Sequence, residues 1–255
     1  MNTSEYRVQA RKKLTGKWGK AVIQVLIFVI IEYVISQILQ PDENSIGKLI
    51  LTIINVPISY GFLASMIKLY NDENFGYFDF LINGFSNFVR AWSVSLNILL
   101  KLIIPLILLF IGTIIVTIGF FNDSNILMGL GVIIYIISII SLFIKSLSYT
   151  LSLYILCDNL EMSGKEAVTK SEELMKGNIL AWFLLTLSFI GWIILSIFTL
   201  GIGLFWLIPY MQFAKINFYK NLTGDSTTTI SDTKKKEEPP ITEENTDFNP
   251  IKNND

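Results

Sequence analysis

Residues 93–120 read SVSLNILLKLIIPLILLFIGTIIVTIGF, with Lys101 as the one charge in the run. A segment this apolar has no polar face to offer water, and about 20 helical residues, rising 1.5 Å each, suffice to cross a hydrocarbon core of about 30 Å. Inside hydrocarbon, backbone amides find partners only within a helix or a closed barrel. The run is therefore predicted to cross a membrane as a helix. It is longer than one crossing requires, so it must tilt, kink or protrude, and Pro105 offers a kink.

Working outward, five more apolar stretches stand at 21–40, 49–68, 128–156, 179–198 and 203–219. The 128–156 stretch shares the surplus length. Over its 255 residues the chain is 52% apolar and 16% charged, whereas soluble domains carry about a quarter charged residues. The expected fold is an all-α membrane protein of about six transmembrane helices arranged as three hairpins, each preceded by an interfacial amphipathic helix. The expected division is a cytoplasmic amphipathic segment over 1–20, a transmembrane domain over 21–221 and a disordered cytoplasmic tail over 222–255. The tail is rich in Thr, Asp, Glu, Lys, Asn and Pro, with too little apolar surface to fold. The basic start followed by an apolar run resembles a signal sequence, but no A-x-A cleavage site follows, and the run is long enough to be a retained span.

Orientation follows from the basic residues. Arg7, Arg11, Lys12, Lys13, Lys17 and Lys20 precede the first span, which places the amino terminus in the cytoplasm. With six crossings both termini are cytoplasmic, and of the 20 basic residues only Lys48 falls in an outer loop.

The inner segments carry their own pattern. Over 163–176, Ser163 and Glu166 form a capping box, Ala167, Val168, Ser171, Leu174 and Met175 share one face, and Gly177-Asn178 supplies a stop. This predicts a short helix lying on the inner leaflet with its lysines toward head groups. Tyr6, Ala10, Leu14 and Trp18 recur every fourth residue in the same way. Between the second and third spans, Phe75, Tyr77, Phe78, Phe80, Phe85, Phe88 and Trp92 suit an aromatic belt. The entries to the three hairpins look alike: Leu14-x-Gly16-x-Trp18, Gly84 to Ala91-Trp92, and Gly177 to Ala181-Trp182. A threefold internal repeat follows.

The last hairpin carries a resemblance. Leu174-Met175-Lys176-Gly177-Asn178, Leu187-Ser188-Phe189-Ile190-Gly191-Trp192, Thr199-x-Gly201-Ile202-Gly203-Leu204-x-Trp206-Leu207-x-Pro209-Tyr210 and Phe218-Tyr219 resemble the bacterial membrane family known as domain of unknown function 975. The amino-terminal Ala10-x3-Leu14-x-Gly16-x-Trp18 fits the same pattern. The likeness covers most of residues 6–222. It implies a multi-spanning protein of the bacterial cell membrane and brings no catalytic residues with it.

Absences narrow the chemistry. The chain has no histidine and one cysteine, Cys157, so imidazole-based triads, HExxH metalloproteases and an internal disulfide are all excluded. Gly201-Ile202-Gly203 lacks the lysine and Ser/Thr of a phosphate loop. No cofactor or metal is expected, and no nucleic-acid partner, since the net charge is −1. Glu172-Glu173 reads as solvated charge.

The candidate polar site lies within the spans. Glu32 sits about 16 Å into the first one by helical rise, where a charge costs a few kcal/mol. Lys20, Gln24, Glu32, Ser36 and Gln40 repeat at multiples of four and should face other helices. Asn55 polarises the second span, and Lys101 or Lys145 is the expected partner of Glu32. The opposing explanation for these groups is helix glue and snorkelling lysines. The leading functional expectation is a non-enzymatic protein handling a lipid or peptide, or serving a transporter. The alternative is a scaffold or regulatory subunit recruiting a protein partner through its cytoplasmic termini; the partners expected are the lipid bilayer and a protein partner or a second copy of the chain.

Overall fold

The computed structural model describes residues 2–39 and 45–224. Among the described residues there are eleven helices and no strand: α1 (Thr3–Leu14), α2 (Trp18–Leu39), α3 (Ser45–Tyr70), α4 (Asp79–Ser86), α5 (Phe88–Phe121), α6 (Asn125–Ser148), α7 (Ser152–Asp158), α8 (Gly164–Met175), α9 (Ile179–Leu187), α10 (Ile190–Phe198) and α11 (Leu204–Thr223). Most of the expected tail, 222–255, lies outside the described residues. Leu222 and Thr223 belong instead to α11, which stops at a left-handed Gly224.

Five helical segments are long and apolar enough to cross a membrane: Trp18–Leu39, Ile46–Tyr70, Phe88–Phe121, Asn125–Asp158 and Ile179–Phe198. The expected sixth, α11, is not among them. Gln212, Lys215, Asn217, Lys220 and Asn221 dilute it, and much of it is core: Leu207, Tyr210, Phe213, Ile216, Phe218 and Tyr219 are all buried. The 179–198 stretch is interrupted at Ser188 and Phe189, which separates α9 from α10.

The central hairpin is formed by the two longest apolar segments. Gly112 abuts the backbone of Tyr135, Gly131 that of Val116 and Gly119 that of Met128. Each of these pairs of numbers sums to 247, so α5 and α6 run antiparallel in one register, their backbones brought close by small residues. Beyond that contact, the first turns of α5 pack along α8. Gly164 abuts Ser93, and Glu172 pairs with Lys101 at 2.5 Å, both 71 residues apart in sequence, so the two helices run side by side in parallel. On the other strand of the hairpin, α6 ends at Ser148 and the chain resumes as α7. The carbonyl of Ser148 at this break accepts a 2.8 Å hydrogen bond from the buried Ser171 hydroxyl of α8, which satisfies one of the acceptors that a helix end exposes.

The short helices turn apolar residues inward, although α4 also leaves Ile82 and Phe85 exposed. Tyr6, Ala10 and Leu14 of α1, Phe80 of α4, and Ala167, Val168, Ser171 and Met175 of α8 are buried. The residues on one face are those the periodicity marks, but protein covers them rather than a leaflet, because neighbouring helices reach them first. α4 packs on α3, α8 on α7 and α5, and α1 on α11. α4 and α8 thus each rest on the helix that precedes them in the chain, and the first helix rests on the last. Two of the three expected entries match in the backbone: Thr15-Gly16 and Lys176-Gly177 adopt the same turn, with φ/ψ of −58°/127° and −58°/121° followed by glycines at φ +79°. This is type II geometry, in which the second residue favours glycine.

Helix ends are capped by side chains from these junctions. The Lys17 ammonium donates to the carbonyls of Leu69 (2.9 Å) and Tyr70 (3.4 Å), closing α3. It also pairs with Asp72 at 2.6 Å and so holds that carboxyl below the usual carboxylate range. Arg90 Nη2 donates to the carbonyls of Leu156, in the last turn of α7, and of Asn159 and Met162 beyond it. The Ser163–Glu166 box is present. The Ser163 amide donates to Glu166 at 2.9 Å and its hydroxyl at 2.8 Å, which keeps the Glu166 carboxyl acidic.

The core sits at one end of the bundle. Tyr60 and Met66 of α3, Leu151, Ile155 and Leu156 of α7, and Phe213, Phe218 and Tyr219 of α11 meet there under the short helices. The far halves of the long helices are coated with exposed large apolar side chains, among them Ile30, Ile38, Phe110, Phe121, Ile126 and Phe198. A packed end and an oily end are what a protein partly immersed in lipid needs.

Candidate functional site

The fold brings part of the polar stripe together. Glu32 of α2 faces Asn55 of α3, whose amide Nδ2 donates to Glu32 Oε2 at 3.2 Å. Ser59, one turn further along α3, donates to Asn55 Oδ1 at 3.1 Å. The other carboxylate oxygen, Glu32 Oε1, is buried with no hydrogen-bond partner. Two turns earlier on α2, Gln24 is fully buried, and both atoms of its amide are without a partner. A buried amide with no partner costs about 1–3 kcal/mol, and such a group calls for a specific explanation.

The remaining predicted residues do not join this site. Lys101 pairs with Glu172 rather than Glu32, which also corrects the reading of Glu172 as solvated charge. Parallel packing of α8 on α5 sets that pairing. The α5–α6 register puts Lys145 beside Lys101, and it makes no ion pair among the described residues. Ser36 is half-buried and makes no hydrogen bond among the described residues.

Other polar groups were not marked by sequence. At the packed end the Asp158 carboxylate accepts from Lys220 Nζ at 3.0 and 2.8 Å and from the Tyr219 hydroxyl at 3.0 Å. The Tyr70 hydroxyl donates to Asn217 Oδ1, and Asn217 Nδ2 donates to the Tyr6 carbonyl at 3.1 Å. These tie α3, α7 and α11 to α1 and read as structure. Tyrosines and amides spaced along α11 were the only available signal, and it does not name their partners. Among the described residues no group of three acidic or cysteine side chains is placed to hold a metal.

Chemically, the α2–α3 cluster is a carboxyl with one oxygen held by an amide and one open. Such a group accepts a proton or a hydrogen bond from a ligand; beside it stand an amide and a hydroxyl, with no nucleophile and base pair.

The apolar helices, their oily ends and a carboxyl among them define the build of a multi-pass membrane protein. The chain belongs to the family described as protein of unknown function (DUF975), whose family model matches residues 1–226. Neither the curated proteins nor the solved structures hold a match to it.

Proposed function

We propose that this chain is a non-enzymatic protein of the bacterial cell membrane whose α2–α3 polar stripe handles a lipid or peptide, alone or in the service of a transporter. The open Glu32 Oε1 carries this reading. A carboxyl retained in an apolar helix costs a few kcal/mol, and the single 3.2 Å contact from Asn55 leaves half of it unused. Glu32→Gln keeps the shape and the Asn55 contact while removing the titrating oxygen. It is expected to abolish complementation of a deletion strain with membrane levels unchanged. Full complementation by the Gln and Ala variants at normal levels would remove Glu32 from the function.

The reading has both termini in the cytoplasm, with α2–α3 and α5–α6 crossing as hairpins and Arg11, at the level of Tyr210, at the inner face. Lys101 and Lys145 then mark the inner boundary of the central hairpin, from which Phe121 lies 20 residues on, about 30 Å along the helix. In a Cys157→Ala background, Asn122→Cys is expected to react with an impermeant thiol reagent in intact cells, while Asp72→Cys and Lys165→Cys react only after lysis. Labelling of Lys165→Cys from outside would invert the topology. The scaffold alternative gains nothing at the amino terminus, since α1 is packed on α11 and is not a free arm.

A further inference from the structure

A second site lies apart from Glu32, where α1 meets the last hairpin. A groove of about 340 Å³ opens between the start of α2, α10 and the start of α11, and Trp18, Trp192, Trp206, Leu195 and Leu207 form its apolar walls. Along α11 the lining runs from Gly203 to Tyr210, about 10 Å of helix. Arg11 closes the Tyr210 end. Its Nη2 donates to the Tyr210 hydroxyl at 3.4 Å, and its guanidinium lies 5.7 Å from that ring's centroid.

Arg11 is exposed and has no carboxylate partner among the described residues. A guanidinium carries five N–H donors, and tyrosine takes one of Arg11's. Arg7 stands one turn earlier on α1, and its Nε is buried with no hydrogen-bond partner. An unneutralised cationic mouth joined to a tryptophan-walled apolar slot is complementary to an amphiphile with an anionic head. Arginine is the side chain best matched to phosphate oxygens, and tryptophan favours the boundary between head groups and chains. The volume is at the lower end for ligand pockets, so it admits a chain rather than a whole lipid.

We propose that this groove holds one acyl chain of an anionic phospholipid, with the phosphodiester on Arg11. The site is independent of Glu32, and Glu32→Gln is expected to leave it intact. Three of the five tryptophans line it, so their fluorescence reports occupancy. The full chain is placed in phosphatidylcholine nanodiscs in which acyl-brominated phosphatidylglycerol or acyl-brominated phosphatidylcholine is titrated over the same range of mole fraction. Brominated phosphatidylglycerol is expected to quench at about tenfold lower mole fraction, the worth of one charge-assisted contact. Arg11→Gln should bring the two curves together, Arg11→Lys should keep part of the difference, and Ser196→Phe, which fills the slot, should weaken quenching by either lipid. Equal quenching in the wild type overturns the proposal whatever the variants do, as does a preference that survives Arg11→Gln.

Discussion

Gly61→Leu is expected to leave little or no folded protein in detergent. A β-carbon at position 61 would overlap the Phe80 carbonyl and crowd the Gly84 amide, and one at Gly84 would overlap the Pro57 carbonyl. The backbones of α3 and α4 therefore touch through two glycines, with no flexible side chain between them to yield. Pro57 belongs to the same device. Having no N–H, it cannot bond to the Ile53 carbonyl, and that carbonyl instead accepts from Trp92 Nε1 at 3.0 Å. Overpacking costs typically about 1–3 kcal/mol where side chains can shift. Here backbone must move, so a loss of about 3 kcal/mol or more is expected, a large part of a typical folding free energy. Gly191→Ala is the control, since a β-carbon there meets nothing within 4 Å; its effect should stay within about 0.5 kcal/mol. Size-exclusion profile and thermal midpoint in detergent read both variants. A monodisperse Gly61→Leu protein with the wild-type midpoint would mean that α4 does not pack as described.

Asp158→Ala is expected to be nearly as damaging. The carboxylate ends α7 and holds two groups of α11, Lys220 and Tyr219, with side-chain exposures of 18% for Asp158 and 14% for Lys220. Removing one partner of a buried pair costs about 3–5 kcal/mol. Residual contact with water puts this pair at the lower end, about 3 kcal/mol. Asp158→Asn keeps an acceptor for tyrosine and loses the charge, so it should fall between alanine and wild type. If the pair is the cause, Lys220→Met in the Asp158→Ala background should cost less than Lys220→Met alone, giving a coupling of about 1–3 kcal/mol in a double-mutant cycle. Additive losses would assign the effect to helix ends rather than to the α7–α11 tie.

Much of this was legible along the chain. Period-four spacing marked Tyr6, Ala10, Leu14 and Trp18, and the helical pattern marked Ala167, Val168, Ser171, Leu174 and Met175, as faces; all are buried except Trp18 and Leu174, which are half-buried. The Ser163–Glu166 box and the Gly177 stop are local chemistry and appear where the sequence puts them. The polar stripe on α2 likewise indicated that Glu32 faces another helix, and Asn55 is its neighbour there. Partners across sequence were harder to read. Lys101 went to Glu172 because α8 lies parallel to α5, and no pattern within either segment encodes that direction of packing. The Arg11 groove was hidden for the same reason, since Arg11, Trp18, Trp192 and Trp206 come from four separate helices.

By itself the sequence determined which segments are oily and helical and where the local stops at Ser163 and Gly177 fall, because hydropathy, capping and glycine dihedrals act over a few residues; it did not show the breaks after Ser148 and at Ser188–Phe189. Only the tertiary structure decided what covers each face: that protein rather than a leaflet buries the short helices, that α11 belongs to the core, and which cations find a carboxylate. Those outcomes depend on which helix approaches from which side, a matter of packing between residues tens to hundreds of positions apart.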